Sequence, residues 1–192
     1  MQQHQSGPLE DDIAELDVLA ERCPALGTRY VRVMSYPNDG LPDEVWGREA
    51  IRRLALLTAR AEQAGLVLLH ENCSGWAGRD ADRVLRLLAE VDSPALGLVF
   101  DTGNGVEYGY DAYDLLTELL AAVPDRVLHV QVKDAAGTAD RPDYCYPGQG
   151  RCRRAPAACR SRSGRPAGRA GGRTRRRCPR RPSRCPSGRR AG

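Results

Sequence analysis

Three apolar runs in this chain end in the same kind of residue. LVLLHEN closes on Glu71 and Asn72, LGLVFDTGN on Asp101 and Asn104, and RVLHVQVKD on Gln131, Lys133 and Asp134. Carboxylates and amide oxygens are hard donors. Two acids and an amide gathered from three such runs suit a divalent cation of the Mg²⁺ or Mn²⁺ kind. A lone acid at a strand end more often caps a helix or turns a loop. Three successive runs with the same habit point to a site instead.

For these residues to meet, the runs must be parallel strands whose C-terminal ends open on one side. The rest of the sequence has the elements to arrange that. DDIAELDVLAERCPALG puts Ile13, Leu16, Leu19 and Ala20 on one helical stripe that stops near Gly27. RYVRVMSY (29–36) is a short β-rich run. Residues 42–65 form a long amphipathic helix with Ala50, Leu54, Leu57 and Ala61 in phase, and Gly65 is suited to end it. Strands over 66–72, 96–104 (running into a Gly turn) and 126–134 alternate with helices over 79–92 and 111–124. The order is helix, three strand–helix pairs and a strand. The strands recur every ~30–37 residues, the size of a βα unit.

Alternating apolar strands and helices imply a parallel sheet with covered faces. A doubly wound sheet and part of a (β/α)8 barrel both satisfy this. No Gly-x-Gly-x-x-Gly follows the first strand, and polar residues cluster at the C-terminal strand ends, which favours the barrel. The predicted fold is therefore α/β, a partial (β/α)8 TIM barrel of about four βα units over residues 1–150.

Residues 151–192 are of another kind. Residues 1–150 hold 25 acids and 13 bases, a net charge of −12, whereas 151–192 hold 16 Arg and no acid. That segment has no Val, Ile, Leu, Met, Phe, Tyr or Trp, so it has nothing to bury against the entropy of ordering its backbone. It is expected to be a disordered basic tail. As a genuine arm it would bind nucleic acid through phosphates. Its seven residue types are also those that GC-rich codons specify out of frame, and the preferred expectation is a frame-shift artefact. Its Cys152, Cys159, Cys178 and Cys185 match no common zinc spacing. With no long apolar run, the expectation is a cytoplasmic protein without a membrane partner.

GLVLLHEN, LGLVFDTGN and RVLHVQVKD, followed by PGQG, resemble the sugar phosphate isomerase/epimerase family of xylose-isomerase-like barrels, over roughly residues 10–150. The resemblance implies a divalent metal held by Glu71, Asp101 and Gln131. It also implies substrate contact at Asn104 and proton transfer by Glu71. Gln131 stands where most members carry the second His of a His-x-His-x-Lys-Asp pattern. Asn72, His129 and Lys133 are expected around these ligands: Asn72 orienting Glu71, His129 as the other histidine of the pattern or else a buried structural residue, and Lys133 meeting an anionic substrate or, preferably, a neighbouring acid. The partner implied is a small sugar or sugar phosphate. The reaction implied is isomerisation or epimerisation through an enediolate.

The family's fourth ligand, a Glu after the eighth strand, has no counterpart in the Arg-rich segment, and the first three strands have none before residue 30. The chain is therefore expected to be an incomplete and inactive copy. A related nuclease of the endonuclease IV type needs several His for three zinc ions. This chain has His4, His70 and His129, and its acidic body would repel a phosphate backbone.

Overall fold

Local signals at the helix ends set the elements. Helix α1 (Leu9–Arg22) carries Glu10, Asp11 and Asp12 in its first turn, where they offset the positive end of the helix dipole. The chain then turns through Pro24–Leu26 onto Gly27, whose φ of 65° needs no Cβ. Helix α2 (Asp43–Gln63) begins after Pro42. It ends with Gly65 at φ 69°, and Leu66 N returns to Ala61 O at 2.8 Å. Asp80 caps α3 (Ala81–Val91) by accepting from Arg83 N at 3.0 Å. Asp111 caps α5 (Ala112–Ala122) by accepting from Tyr113 N at 2.9 Å.

The computed structural model describes residues 7–150 and 152. Between the helices run β1 (Tyr30–Ser35), β2 (Val67–Gly75), β3 (Leu96–Asp101) and β4 (Val127–Gln131). They form one sheet in the order β1-β2-β3-β4, every neighbouring pair parallel. Four parallel strands in chain order, each pair joined through helix, are half of a (β/α)8 barrel. Among the described residues no strand pairs with the outer edge of β1 or of β4.

Alternation along the strands sorts the side chains. Val31, Val33, Leu68, Leu96, Leu98 and Phe100 join Leu16, Leu54, Leu57, Leu87 and Leu119 in the core under the helices. Val67, Leu69 and Val99 make a small cluster of their own. Glu71 and Asp101 continue that second set, two residues beyond Leu69 and Val99. Gly97 shares that face by alternation, and a Cβ there would stand 2.6 Å from Leu128 Cδ1.

At the β1 end, Tyr36 is fully buried with φ 58°, and its hydroxyl donates to Asp12 Oδ2 at 2.6 Å, tying α1 to the sheet. Trp46 Nε1 donates to Tyr36 O at 3.0 Å. Trp76 packs on Gly47, where a Cβ would come within 2.6 Å of its ring, and lies under the guanidinium groups of Arg83 and Arg86.

Three elements differ from expectation. The run 96–104 is strand to Asp101, and where a Gly turn was expected Asn104 opens a short helix, α4 (Asn104–Tyr108). The run 126–134 stops at Gln131. Asp134 instead begins a hairpin of β5 (Asp134–Thr138) and β6 (Arg141–Cys145), paired antiparallel. Buried Asp134 anchors the loop that follows. Its carboxylate accepts from the main-chain N–H of Gly148 at 2.6 Å, Gly150 at 3.0 Å and Cys152 at 3.1 Å. The basic segment expected to be disordered lies, apart from Cys152, outside the described residues.

Candidate active site at the strand ends

Asn72 ties the ends of β2 and β3 together. Its Oδ1 accepts from Asp101 N at 2.6 Å, and its Nδ2 donates to Asp101 O at 2.9 Å. A side chain thus replaces the ladder bonds just where the strands part. Tyr110, from the turn before α5, completes the clamp by donating to Asn72 O at 2.8 Å and accepting from Asn72 Nδ2 at 2.8 Å. Burial pushes the Tyr110 hydroxyl above its ordinary range, which keeps it a donor. Asn72 was expected to orient Glu71; in the structure its side chain serves β3 instead.

The group that touches Glu71 is Asn104, whose Nδ2 donates to Glu71 Oε1 at 3.2 Å and to Asn72 O at 3.2 Å. Arg32, at a polar position of β1, holds Glu71 Oε2 at 2.9 Å. Lys133 Nζ donates to Asn104 Oδ1 at 3.2 Å and is ion-paired with Asp101 Oδ2 at 3.2 Å. The other Asp101 oxygen accepts from Gly103 N at 2.8 Å. A chain of contacts therefore runs Arg32–Glu71–Asn104–Lys133–Asp101, with two negative and two positive charges. Glu71, Asn104 and Asp101 are buried.

Gln131 pairs with Asp101 in register and is half-buried. His129, expected beside the ligands, pairs with Val99 and is exposed. With no strand beyond β4 among the described residues, nothing there covers it. The buried histidine is His70. Both its ring nitrogens lack a partner among the described residues, and burial pushes its pKa down to about 4.

Sequence reasoning missed Arg32 and Tyr110. Arg32 left a trace, a charged residue alternating with Val31 and Val33 in a β-run. Tyr110 left none, because the short α4 that places it was read as a turn. Beside the clamp, a cavity of about 500 Å³ lies between α4, the start of α5 and the hairpin, lined by Thr102, Gly105, Tyr110 and Thr138 among others; neither Glu71 nor Asp101 lines it.

The donor set fits a hard divalent cation. Asp101 Oδ2 is buried and has no aligned hydrogen-bond donor among the described residues, and the group facing it is a cation, the Lys133 ammonium. The described residues contain no group of three or more His, Cys, Asp or Glu arranged to hold a metal. An ion here would be held by the two carboxylates with amide oxygen, not by imidazole.

A half-barrel of parallel βα units with buried carboxylates at its C-terminal strand ends is the architecture of a TIM-barrel enzyme site. The chain belongs to the xylose isomerase-like TIM barrel family, whose pattern matches residues 5–156. It is 32% identical over 142 residues to the 2-epi-5-epi-valiolone 7-phosphate 2-epimerase of Actinoplanes sp., covering 74% of this chain and 50% of that protein. The fold is similar to that of the probable 3-DHS dehydratase AsbF of Bacillus anthracis, with a TM-score of 0.64 at 18% identity over 79% of this chain and 60% of that one. It is also similar to the zinc-bound IOLI protein, with a TM-score of 0.58 at 20% identity over 72% of this chain and 51% of that one. The chain thus spans about half the length of the curated relative it matches.

Proposed function

We propose that this half-barrel belongs to a divalent-metal-dependent isomerase or epimerase of small sugars or sugar phosphates. The observation that carries the reading is the buried pair Glu71 and Asp101 on adjacent strand ends, linked through Asn104 and Lys133. The name of the Actinoplanes relative, an epimerase of a phosphorylated substrate, and the zinc of the IOLI protein support it. Glu71, Asp101 and Gln131 would hold the ion, which supplies Lewis-acid polarisation of substrate oxygens when bound.

The remaining chemistry falls to the chain. Glu71 removes the proton on the carbon beside a substrate carbonyl, leaving an enediolate. Arg32 pairs with Glu71 Oε2 and Asn104 with Oε1, so one of these contacts gives way when Glu71 takes a proton or holds the ion. Asn104 Nδ2, now on Glu71 Oε1, is placed to donate to a substrate hydroxyl instead. Return of a proton on the opposite face needs a second acid–base group. Among the described residues Glu71 is the one assigned to proton transfer, so we infer that the 192-residue chain does not complete the reaction alone. We assign it to the cytoplasm. No helix among the described residues is long and apolar enough to cross a membrane.

The test joins residues 7–152 to the remaining strands of the Actinoplanes epimerase and follows solvent deuterium entering the substrate carbon. Exchange should appear with Mn²⁺ or Mg²⁺ and vanish in Glu71→Gln and in Asp101→Asn. Wild-type exchange in either variant with metal bound would overturn the assignment.

A further inference from the structure

A cation is already seated at Asp101. Lys133 Nζ lies 3.2 Å from Asp101 Oδ2 and 3.2 Å from Asn104 Oδ1, and several independent contacts build the seat. The Thr102 hydroxyl donates to Lys133 O at 2.6 Å and accepts from Lys133 N at 3.0 Å, fixing the main chain. The stem lies over Gly103, where a Cβ would stand 2.6 Å from Lys133 Cβ and 3.2 Å from its Cδ. The ring of Tyr144 is 5.1 Å from Nζ, and the Tyr144 hydroxyl is held in turn by Glu107. The hairpin thus contributes to the seat through β6.

Even so, the Lys133 side chain is 47% exposed while Asp101 is fully buried. The ammonium has open water to move into, and the carboxylate has not. An ammonium and a divalent ion at hydrogen-bond range from the same Asp101 Oδ2 repel each other, so the two compete for it.

We propose that Lys133 is a tethered cation that alternates with the divalent ion at Asp101. With no ion bound, Lys133 neutralises Asp101 and holds Asn104 in place, as Arg32 neutralises Glu71. When an ion enters, the ammonium leaves Asp101 for solvent on the Tyr144 side. The inference rests on the metal reading above. It adds that the affinity of the site is set by a competitor within the chain, so removing the charge of Lys133 should tighten ion binding. A lysine that only props the loop would, when lost, leave binding unchanged or weaken it.

The test titrates the 192-residue chain with Mn²⁺ and reads free Mn²⁺ by electron paramagnetic resonance. Lys133→Met keeps most of the stem over Gly103 and loses the charge; it should bind Mn²⁺ about tenfold or more tightly than the wild type. Lys133→Arg keeps the charge and should not tighten binding. Lys133→Gln makes the same comparison should the Met variant fail to fold. Wild-type or weaker affinity in a folded, uncharged variant overturns the proposal. If Asp101→Asn and Glu71→Gln lose Mn²⁺ while the uncharged Lys133 variant matches wild type, this inference alone fails. If those carboxylate variants bind as wild type does, or neither the wild type nor any variant binds, the metal reading fails and takes this one with it.

Discussion

At the scale of single residues, Asn72 makes the most contacts of the site residues without entering the proposed chemistry. Asn72→Ala would leave Asp101 N buried without its acceptor, at a cost of about 1–3 kcal/mol. We expect that loss in the urea midpoint of the variant, together with faster proteolysis of the 101–110 segment. Asn72→Asp keeps the acceptor for Asp101 N but sets a buried carboxylate oxygen against Asp101 O, so it should be at least as destabilised as Asn72→Ala. This role was not legible in the sequence. The pattern identified Asn72 as a polar strand-end residue, but whether it turned toward Glu71 or toward β3 depends on how far apart the two strand ends lie. Asp101 and Glu71 were legible as candidates because apolar runs on successive strands end in the same way, which a lone capping or turn acid would not repeat.

At the scale of elements, β2 carries a buried histidine on its helix-facing side. An unfolded His70 takes a proton near pH 6.5, the folded one only near 4. Between those values the unfolded state binds more protons, so stability falls as pH drops through that window, by roughly 3 kcal/mol in all. Denaturant midpoints at pH 7.5 and 4.5 should differ by more in wild type than in His70→Leu. The Leu variant should also be no less stable at pH 7.5, since neither ring nitrogen has a partner among the described residues to lose.

The hairpin adds a second case. Burial raises the Asp134 pKa, but the N–H groups of Gly150, Gly148 and Cys152 outweigh it and hold the value at about 2. Its stabilisation is present above 3.8 and is lost as pH falls toward 2. Asp134→Ala should free the 146–152 loop to limited proteolysis at neutral pH. The four sheet strands were readable because apolar runs fix the element type, but not the C-terminal ends: β2 runs on to Gly75, β3 stops at Asp101 and β4 at Gln131. The hairpin was not, since DAAGT and RPDYC lack alternation and Pro142 argues against a strand. Pro142 is tolerated in a two-stranded ribbon. Helix α4 has five residues, too few to show a helical period.

At the scale of the whole molecule, the half-barrel presents two unpaired parallel edges among its described residues. Leu128, Val130 and Val132 are exposed at or just beyond β4, and Tyr30 at β1. Such edges recruit other strands. We expect light scattering by the 192-residue chain to rise with concentration, and Val130→Lys to suppress that rise without changing the far-ultraviolet circular dichroism. An unchanged rise in the variant would remove the β4 edge from consideration.

The placement of the tryptophans has a consequence for observing such a molecule come apart. Both of the chain's Trp residues, Trp46 and Trp76, sit at the β1–β2 end, one bonded to Tyr36 and the other wedged between Gly47 and two arginines. The β4 end and the hairpin carry tyrosines. Indole emission is therefore a local gauge of one end only, and fraying that starts at β4 passes unseen in it. Thermal curves by tryptophan emission and by circular dichroism should separate, with emission lagging, if the chain opens from its β4 edge, and should coincide if the two ends melt together.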